Sequence, residues 1–586
     1  MSFAVRYRFV GDDGNAYKNC IDGDGKGYYA YLPAVFIYHD LSFSFFQKNM
    51  THLGNQYGNS FILNHNGKNV NKYTCGEAIL LLPFFLLATL YSWLFHIPID
   101  GYNRIYHLYC AIGSLFYGIF GLFYVKKFLQ KYALSNLAIA LGLTAIALGT
   151  NMLNYMIHEI SMSHIFSFAM IAWHVFMVKK YVDAPAVKTS FLIGLTLGLI
   201  ILIRPVNGMI IFSYPFLMSG NFIHLKKKKT IVHLLIMVGF ALSVISIQLI
   251  IWKIQTGNFL VYSYKNEGFY FNNPQIYNYL FSFKRGAFIY SPVLFFSFIS
   301  IFALCKRSIK ECILIILFLL FVIYIHSSWW SWYYGDGFGE RPLVDFYIFF
   351  AFLIAIFFNG LSKLYLRISA ITLFAAAVIF HLVFFYQYYY GILHPDSMNF
   401  EKFKYVFLKT DKKYANLFKS NPDDFYHPKG IRIVDSVYIN FTERPVAQSR
   451  FSFDQIGLTD KGYKLSNEQN SIGILFITDS NSINKTRFVE FYSEYLEPKN
   501  DSAACGTFFG VALNDNGDKT NLYFKSSVIA ERYNHISNKY ISSFERFYIQ
   551  PSRVIGNKIH IFIANSGQRD IFIKTLKIRI VEAAPY

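Results

Sequence analysis

Asp22 and Asp24 stand two residues apart in the run DGDGKGYYAY, residues 22–31. Gly23, Gly25 and Gly27 alternate with them, so the backbone there is free to bend and to come close to a ligand. A carboxylate pair on such a turn suits a general base, or a ligand for a hard divalent cation. The plainer reading is a solvated acidic turn ahead of an amphipathic helix. The stretch that follows, YYAYLPAVFIYHDLSFSFF, is aromatic, half apolar and broken at Pro33, as in a helix lying in a membrane interface.

Other reactive groups recur at intervals. His39 and Asp40 follow the acidic turn, and KYTCGEAILLLPFF brings Lys72, Tyr73 and Glu77 to the mouth of an apolar run. NMLNYMIHEISMSH, residues 151–164, holds His158, Glu159 and His164; no HExxH is present, so no zinc site is assigned and no metal ligand is named. Arg204 ends an apolar run where Pro205 stops the helix, leaving a guanidinium suited to a phosphate. Lys284 and Arg285 sit beside Gly286, also in front of an apolar run, and Glu267 lies in the same loop. For these cations ordinary snorkelling is the competing account. The densest stretch is SSWWSWYYGDGFGERPLVDF: Trp329, Trp330, Trp332, Tyr333 and Tyr334 offer flat faces for a sugar ring or lipid chain. An aromatic belt would account for the rings, but not for three glycines with Asp336, Glu340 and Arg341.

The elements that must position these groups are set by composition. The chain has 586 residues, 54% hydrophobic and 15% charged, which is too little charge for an ordinary soluble protein. The net charge of +20 would point a soluble protein toward nucleic acid. Here the basic residues cluster between apolar runs, so membrane topology explains them and no nucleic-acid partner is expected. Candidate spans run over about 104–125, 133–150, 162–178, 189–203, 208–222, 231–252, 288–304, 312–328, 343–359 and 368–390. Lys126, Lys127 and Lys131, then Lys179, Lys180 and Lys188, then Lys226 to Lys229, then Lys306, Arg307 and Lys310, then Lys363 and Arg367, follow alternate spans. They therefore lie on one face, the cytoplasmic one by the positive-inside rule. All the reactive loops named above fall on the other face. Residues 78–97, broken by Pro83, then read as an interfacial or re-entrant helix.

After residue 391, short alternating runs such as RFVEFYSEYLEP, TNLYFKSSVIA and KIHIFIANSGQRDIFIKTLKIRIVE, with turns at SNPDD and NDNGD, read as a compact β-sandwich on the outer face. The expected division is an outer acidic loop with interfacial helices over 1–103, a polytopic domain over 104–390, a connector over 391–430 and the sandwich over 431–586. Six cysteines include no CxxC; Cys20, Cys75 and Cys505 fall on the outer side, where a bridge is allowed.

These motifs together resemble the GT-C glycosyltransferases, polytopic enzymes that use polyprenyl-phosphate-linked sugars. The DGDG turn sits where that family carries its acidic motif in the first outer loop. KYTCGEAILLLPFF, the Glu159-to-His164 stretch, ILIRP at 201–205 and YYGDGFGERPLVDF are similar to recurrent segments of bacterial members, over about residues 20–390. The resemblance implies a membrane α-helical bundle of about 10–11 transmembrane helices plus interfacial helices, with an extracytoplasmic β-sandwich, in the inner membrane of a bacterium. It implies transfer of a hexosyl or pentosyl unit to a glycan, lipid or protein acceptor. Asp24 would act as general base, with Asp22 as runner-up and Glu159 orienting the acceptor or helping to hold a cation. Lys72, Glu77, His158, His164, Arg204, Lys284, Arg285, Trp330, Asp336, Glu340 and Arg341 would bind substrate, and a divalent metal is allowed but not required. There are two departures. No span precedes the acidic loop, so either a leading helix is expected to be missing or the first spans are misread. WWSWYYG also differs from the WWDYG motif of oligosaccharyltransferases, so peptide recognition is not transferred. The rival readings are a flippase for lipid-linked sugars, which should carry repeat-related halves, and a receptor with a ligand-binding outer domain.

Overall fold

The computed structural model describes residues 16–48, 61–65, 67–219, 228–264, 267–418, 431–443 and the strands and turns within 451–583. The first fifteen residues, Lys226 and Lys227, Cys505, the SNPDD turn and most of NDNGD lie outside the described residues. The chain divides into two compact units, Met1–Tyr386 and Gln387–Tyr586.

The first unit is helical. It opens with two short helices, α1 (Asp24–Tyr29) and α2 (Tyr31–Phe36), and a hairpin of β1 (Ile62–His65) and β2 (Lys68–Asn71). The longer helices follow: α3 (Gly76–Leu94), α4 (Arg104–Gln130), α5 (Asn136–Leu148), the short α6 (Met152–Ile157), α7 (His164–Asp183), α8 (Val187–Ile203), α9 (Lys228–Thr256), α10 (Phe295–Arg307), α11 (Ile309–Ser327), α12 (Tyr347–Asn359) and α13 (Leu364–Tyr389). Among the described residues seven helical runs are long and apolar enough to cross a membrane, including Gly76–Leu94 and Arg341–Asn359. α12 is buried on nearly every side, as a helix that is apolar all round must be. α9, α11 and α13 leave Leu235, Leu242, Leu317 and Leu373 more than half exposed, which lipid tolerates and water does not.

Close helix contacts depend on small residues, as in other membrane bundles. A Cβ added to Gly194 of α8 would stand 2.3 Å from the Met237 carbonyl oxygen of α9, and one on Gly198 would stand 2.8 Å from that of Ala241. α3 and α7 meet different halves of α4. Tyr117 donates to the Leu80 carbonyl and Thr89 bonds Tyr106, whereas Gly121 lies against Phe168 and Ala169, and Tyr124 stacks on Trp173. The helix over 78–97 thus packs beside the first half of α4, and Tyr117 also touches Phe166 of α7.

Two expected spans are interrupted. Over 208–222 the chain forms a 3₁₀ stretch, Pro205–Ser213, and one short turn, Tyr214–Leu217, because Pro205 and Pro215 each remove a helical N–H. Over 288–304 Pro292 splits the run, and only Phe295–Arg307 continues as a long helix. The cysteine pairing also differs: Cys305 bonds Cys312 at the basic end of the α10–α11 hairpin, while Cys20 and Cys75 are buried thiols outside any disulfide.

The basic ends of several helices share one pole. Lys131 pairs with Asp183 at 3.0 Å, Arg307 donates to the Tyr132 carbonyl, and Ser135 donates to Asn359. α7 and the Arg341–Asn359 run start at the opposite pole, and α8 ends there. The second unit holds two antiparallel sheets. Ile561 and Ile563 of one, and Val489, Phe491, Ile578 and Ile580 of the other, enter one apolar cluster. The alternating runs of the sequence are its strands, among them Thr486–Leu496 and Ile571–Ala583.

Candidate functional site

Asp24 is the first residue of α1. Gly23 before it holds φ at 56°, a left-handed value that glycine adopts without strain. Gly25 after it lies so close to the 158–163 loop that an added Cβ would stand 2.0 Å from Ser161 Oγ. The alternating glycines thus press the acidic turn onto a loop 136 residues away in sequence. There Tyr73 Oη donates to Asp24 Oδ1 at 2.6 Å and Arg341 Nη2 donates to Oδ2 at 2.7 Å. The β1–β2 hairpin delivers Tyr73: Asn71 donates to the Gly27 carbonyl and accepts from the Tyr73 N–H. Burial alone would raise the Asp24 pKa. The Arg341 guanidinium, the Tyr73 hydroxyl and the more distant Lys72 and Arg204 outweigh it and hold the carboxyl below its usual range. Lys72 itself is paired with Glu267 at 2.7 Å. Tyr28, Tyr73, Tyr264 and Trp329 form an aromatic chain alongside, with ring centroids 4.6, 6.4 and 5.8 Å apart in turn.

A second cluster holds Arg204. Asp345 Oδ1 lies 2.9 Å from His164 Nδ1, and Oδ2 accepts from Asn207 Nδ2 at 2.6 Å. Arg204 Nη1 lies 2.9 Å from His164 Nε2, and Arg204 Nε lies 3.7 Å from Asp345 Oδ2. Asp345 and His164 are buried, and the Arg204 side chain keeps 13% of its exposure.

A third group surrounds the glycine-rich loop. Asn151 donates to the Phe338 carbonyl and Asn154 donates to Glu159 Oε1 at 3.0 Å. Gly337 faces Tyr155 Oη, Arg285 Nη1 and Glu159 Oε2, which would lie 2.7, 2.9 and 3.5 Å from an added Cβ. Lys284 is buried with its ammonium 3.4 Å from the centre of the Tyr333 ring. Glu340 is buried, among the described residues neither carboxylate oxygen has a hydrogen-bond partner, and burial pushes its pKa well up against the pull of Arg285, Arg341 and Lys284.

The remaining expected site residues are dispersed. Asp22 is 56% exposed and pairs with Lys26 at 2.6 Å, apart from the Asp24 contacts. Glu77 is fully buried, and among the described residues neither of its oxygens has a hydrogen-bond partner. His158 closes α6 through its backbone N–H, which donates to the Asn154 carbonyl. Trp330 donates its backbone N–H to the Gly268 carbonyl, tying the two aromatic loops together. Asp336 is exposed. Among the described residues no group of three His, Cys, Asp or Glu side chains is placed to share a metal ion.

The chain is similar to a solved arabinosyltransferase. This is the single-particle cryo-EM structure of arabinosyltransferase EmbB from Mycobacterium smegmatis, with 10% sequence identity and a TM-score of 0.35. The match covers 82% of this chain and 57% of that one, so the chain spans little more than half the length of that structure. No protein-family model matches the chain, and no curated protein does.

Asp345 and Asn207 were absent from the residues expected at the site. Asp345 was legible in principle: it is the one carboxylate in the apolar run PLVDFYIFFAFLIAIFF, where an ionisable group is costly. Asn207 carries no comparable signal.

Proposed function

We propose that the chain is a membrane glycosyltransferase that moves a sugar from a polyprenyl-phosphate carrier to an acceptor hydroxyl on the non-cytoplasmic face. The observation that carries the reading is the Asp24–Arg341 pair, made across 317 residues between an acidic turn and a glycine-rich loop. Asp24 is an ionised carboxylate, and the cations that surround it suit a lipid phosphate. Donor phosphate competes with Asp24 for Arg341, and its arrival frees a carboxylate oxygen to accept the acceptor's proton. The bond from the anomeric carbon to the phosphate oxygen breaks as the acceptor oxygen bonds that carbon, and the hydroxyl proton passes to Asp24. Lipid phosphate leaves with its charge held by Arg341 and Arg204. Glu159, fixed by Asn154, faces the acceptor side. The aromatic chain from Tyr28 to Trp329 gives the sugar flat faces.

The test incubates purified protein with polyprenyl-phosphate sugars and follows release of lipid phosphate. Asp24→Asn should lower the rate by about 10²- to 10⁴-fold, the usual contribution of a positioned base, in protein that still folds. Full activity in that variant removes Asp24 from the reaction.

A further inference from the structure

We propose that Asp345 is a positioning residue that fixes Arg204, through His164, as a grip for the donor's phosphate; this rests on the reading that the donor is a lipid phosphate. An arginine at the end of an apolar helix ordinarily snorkels, and its long side chain samples many rotamers. Here the guanidinium is held at two of its nitrogens. Nη1 meets His164 Nε2 at 2.9 Å, and Nε faces Asp345 Oδ2 at 3.7 Å.

The carboxylate organises that contact through both of its oxygens. By accepting at Oδ1 it fixes the His164 ring, and Arg204 Nη1 lies against that ring, 3.2 Å from Nδ1 and 2.9 Å from Nε2. By accepting from Asn207 at Oδ2 it is itself held against rotation. Asp345 comes from the lead into α12, His164 from the first turn of α7 and Asn207 from the 3₁₀ stretch after α8, so three separate segments meet at the carboxylate that faces Arg204. Asp345 and His164 are sealed from solvent, so neither reaches a ligand. Arg204 keeps some exposure, and among the described residues Nη2 has no protein acceptor. Its positive charge also acts on Asp24.

The test uses the purified full chain in detergent micelles, titrated with farnesyl phosphate and, in parallel, with farnesol, which lacks the phosphate. The wild-type protein should prefer farnesyl phosphate. Asp345→Asn keeps the side-chain shape and should weaken farnesyl phosphate at least tenfold while leaving farnesol affinity unchanged. Arg204→Lys should do the same, and the double variant should be no weaker than Arg204→Lys alone, because both changes remove one coupled unit. His164→Asn keeps an N–H toward Asp345 but removes the ring that Arg204 Nη1 lies against; it should also lower phosphate preference, and it serves if Asp345→Asn does not fold. Wild-type phosphate affinity in Asp345→Asn, or in His164→Asn where that variant stands in, overturns the positioning role and leaves the glycosyltransferase reading intact. Loss in Arg204→Lys with additive loss in the double variant also overturns it. Equal affinity of the wild type for farnesyl phosphate and farnesol removes the phosphate site, and the lipid-phosphate reading with it.

Discussion

Two aspartates two residues apart have different surroundings. Asp22 faces solvent and Lys26, whereas Asp24 receives Tyr73 and Arg341. Asp22→Asn should therefore leave transfer within about threefold of wild type, since exposed i,i+4 pairs contribute only a few tenths of a kcal/mol. Equal losses in Asp22→Asn and Asp24→Asn would show that the turn acts as a unit. The depressed Asp24 pKa also sets a pH expectation. Its folded value lies below the unfolded reference of about 3.9. The stabilisation from its partners is then fully present above that reference and is lost as pH falls through the folded value. Activity that depends on ionised Asp24 should show no loss attributable to this group from pH 8 down to about 5. A pH–rate profile with an acid limb near pH 6 that disappears in Asp24→Asn would contradict this assignment.

At the scale of elements, the acidic turn reaches Arg341 only because α1 packs against the 158–163 loop. Gly25→Ala places a methyl group 2.0 Å from Ser161 Oγ and 2.5 Å from the Ser161 carbonyl oxygen. It should destabilise the protein by about 1–3 kcal/mol, the usual cost of overpacking, and reduce transfer by displacing Asp24. Gly268→Ala meets nothing within 4 Å and should be silent in both assays. A Gly25→Ala protein that melts and turns over like wild type would show that this contact is not needed to seat α1. The 208–222 stretch makes a related point: apolar length alone predicted a span, but two prolines within eleven residues turned it into a 3₁₀ run with a short turn.

For the whole molecule, α7, α8 and the Arg341–Asn359 run connect two poles, one basic and one holding Asp24, Arg204, His164 and Arg341. In a cysteine-free background, Asp22→Cys should react with a membrane-impermeant maleimide in intact cells, and Lys131→Cys only after permeabilisation. The reverse pattern would invert the topology and put the site on the cytoplasmic side.

The sequence by itself determined the apolar helices, the alternating strands of the second unit, the spacing of the basic clusters and the stretches that carry reactive groups. Each of these follows from local composition and from a period of one or a few residues. Only the tertiary structure decided that Asp24 rather than Asp22 meets Arg341, that Lys284 is absorbed by the Tyr333 ring, and that Asp345 ties His164 to Arg204. Those pairings join residues 40 to 317 positions apart. Charges so distant in the chain are brought together by glycine contacts and helix packing, which no local pattern encodes.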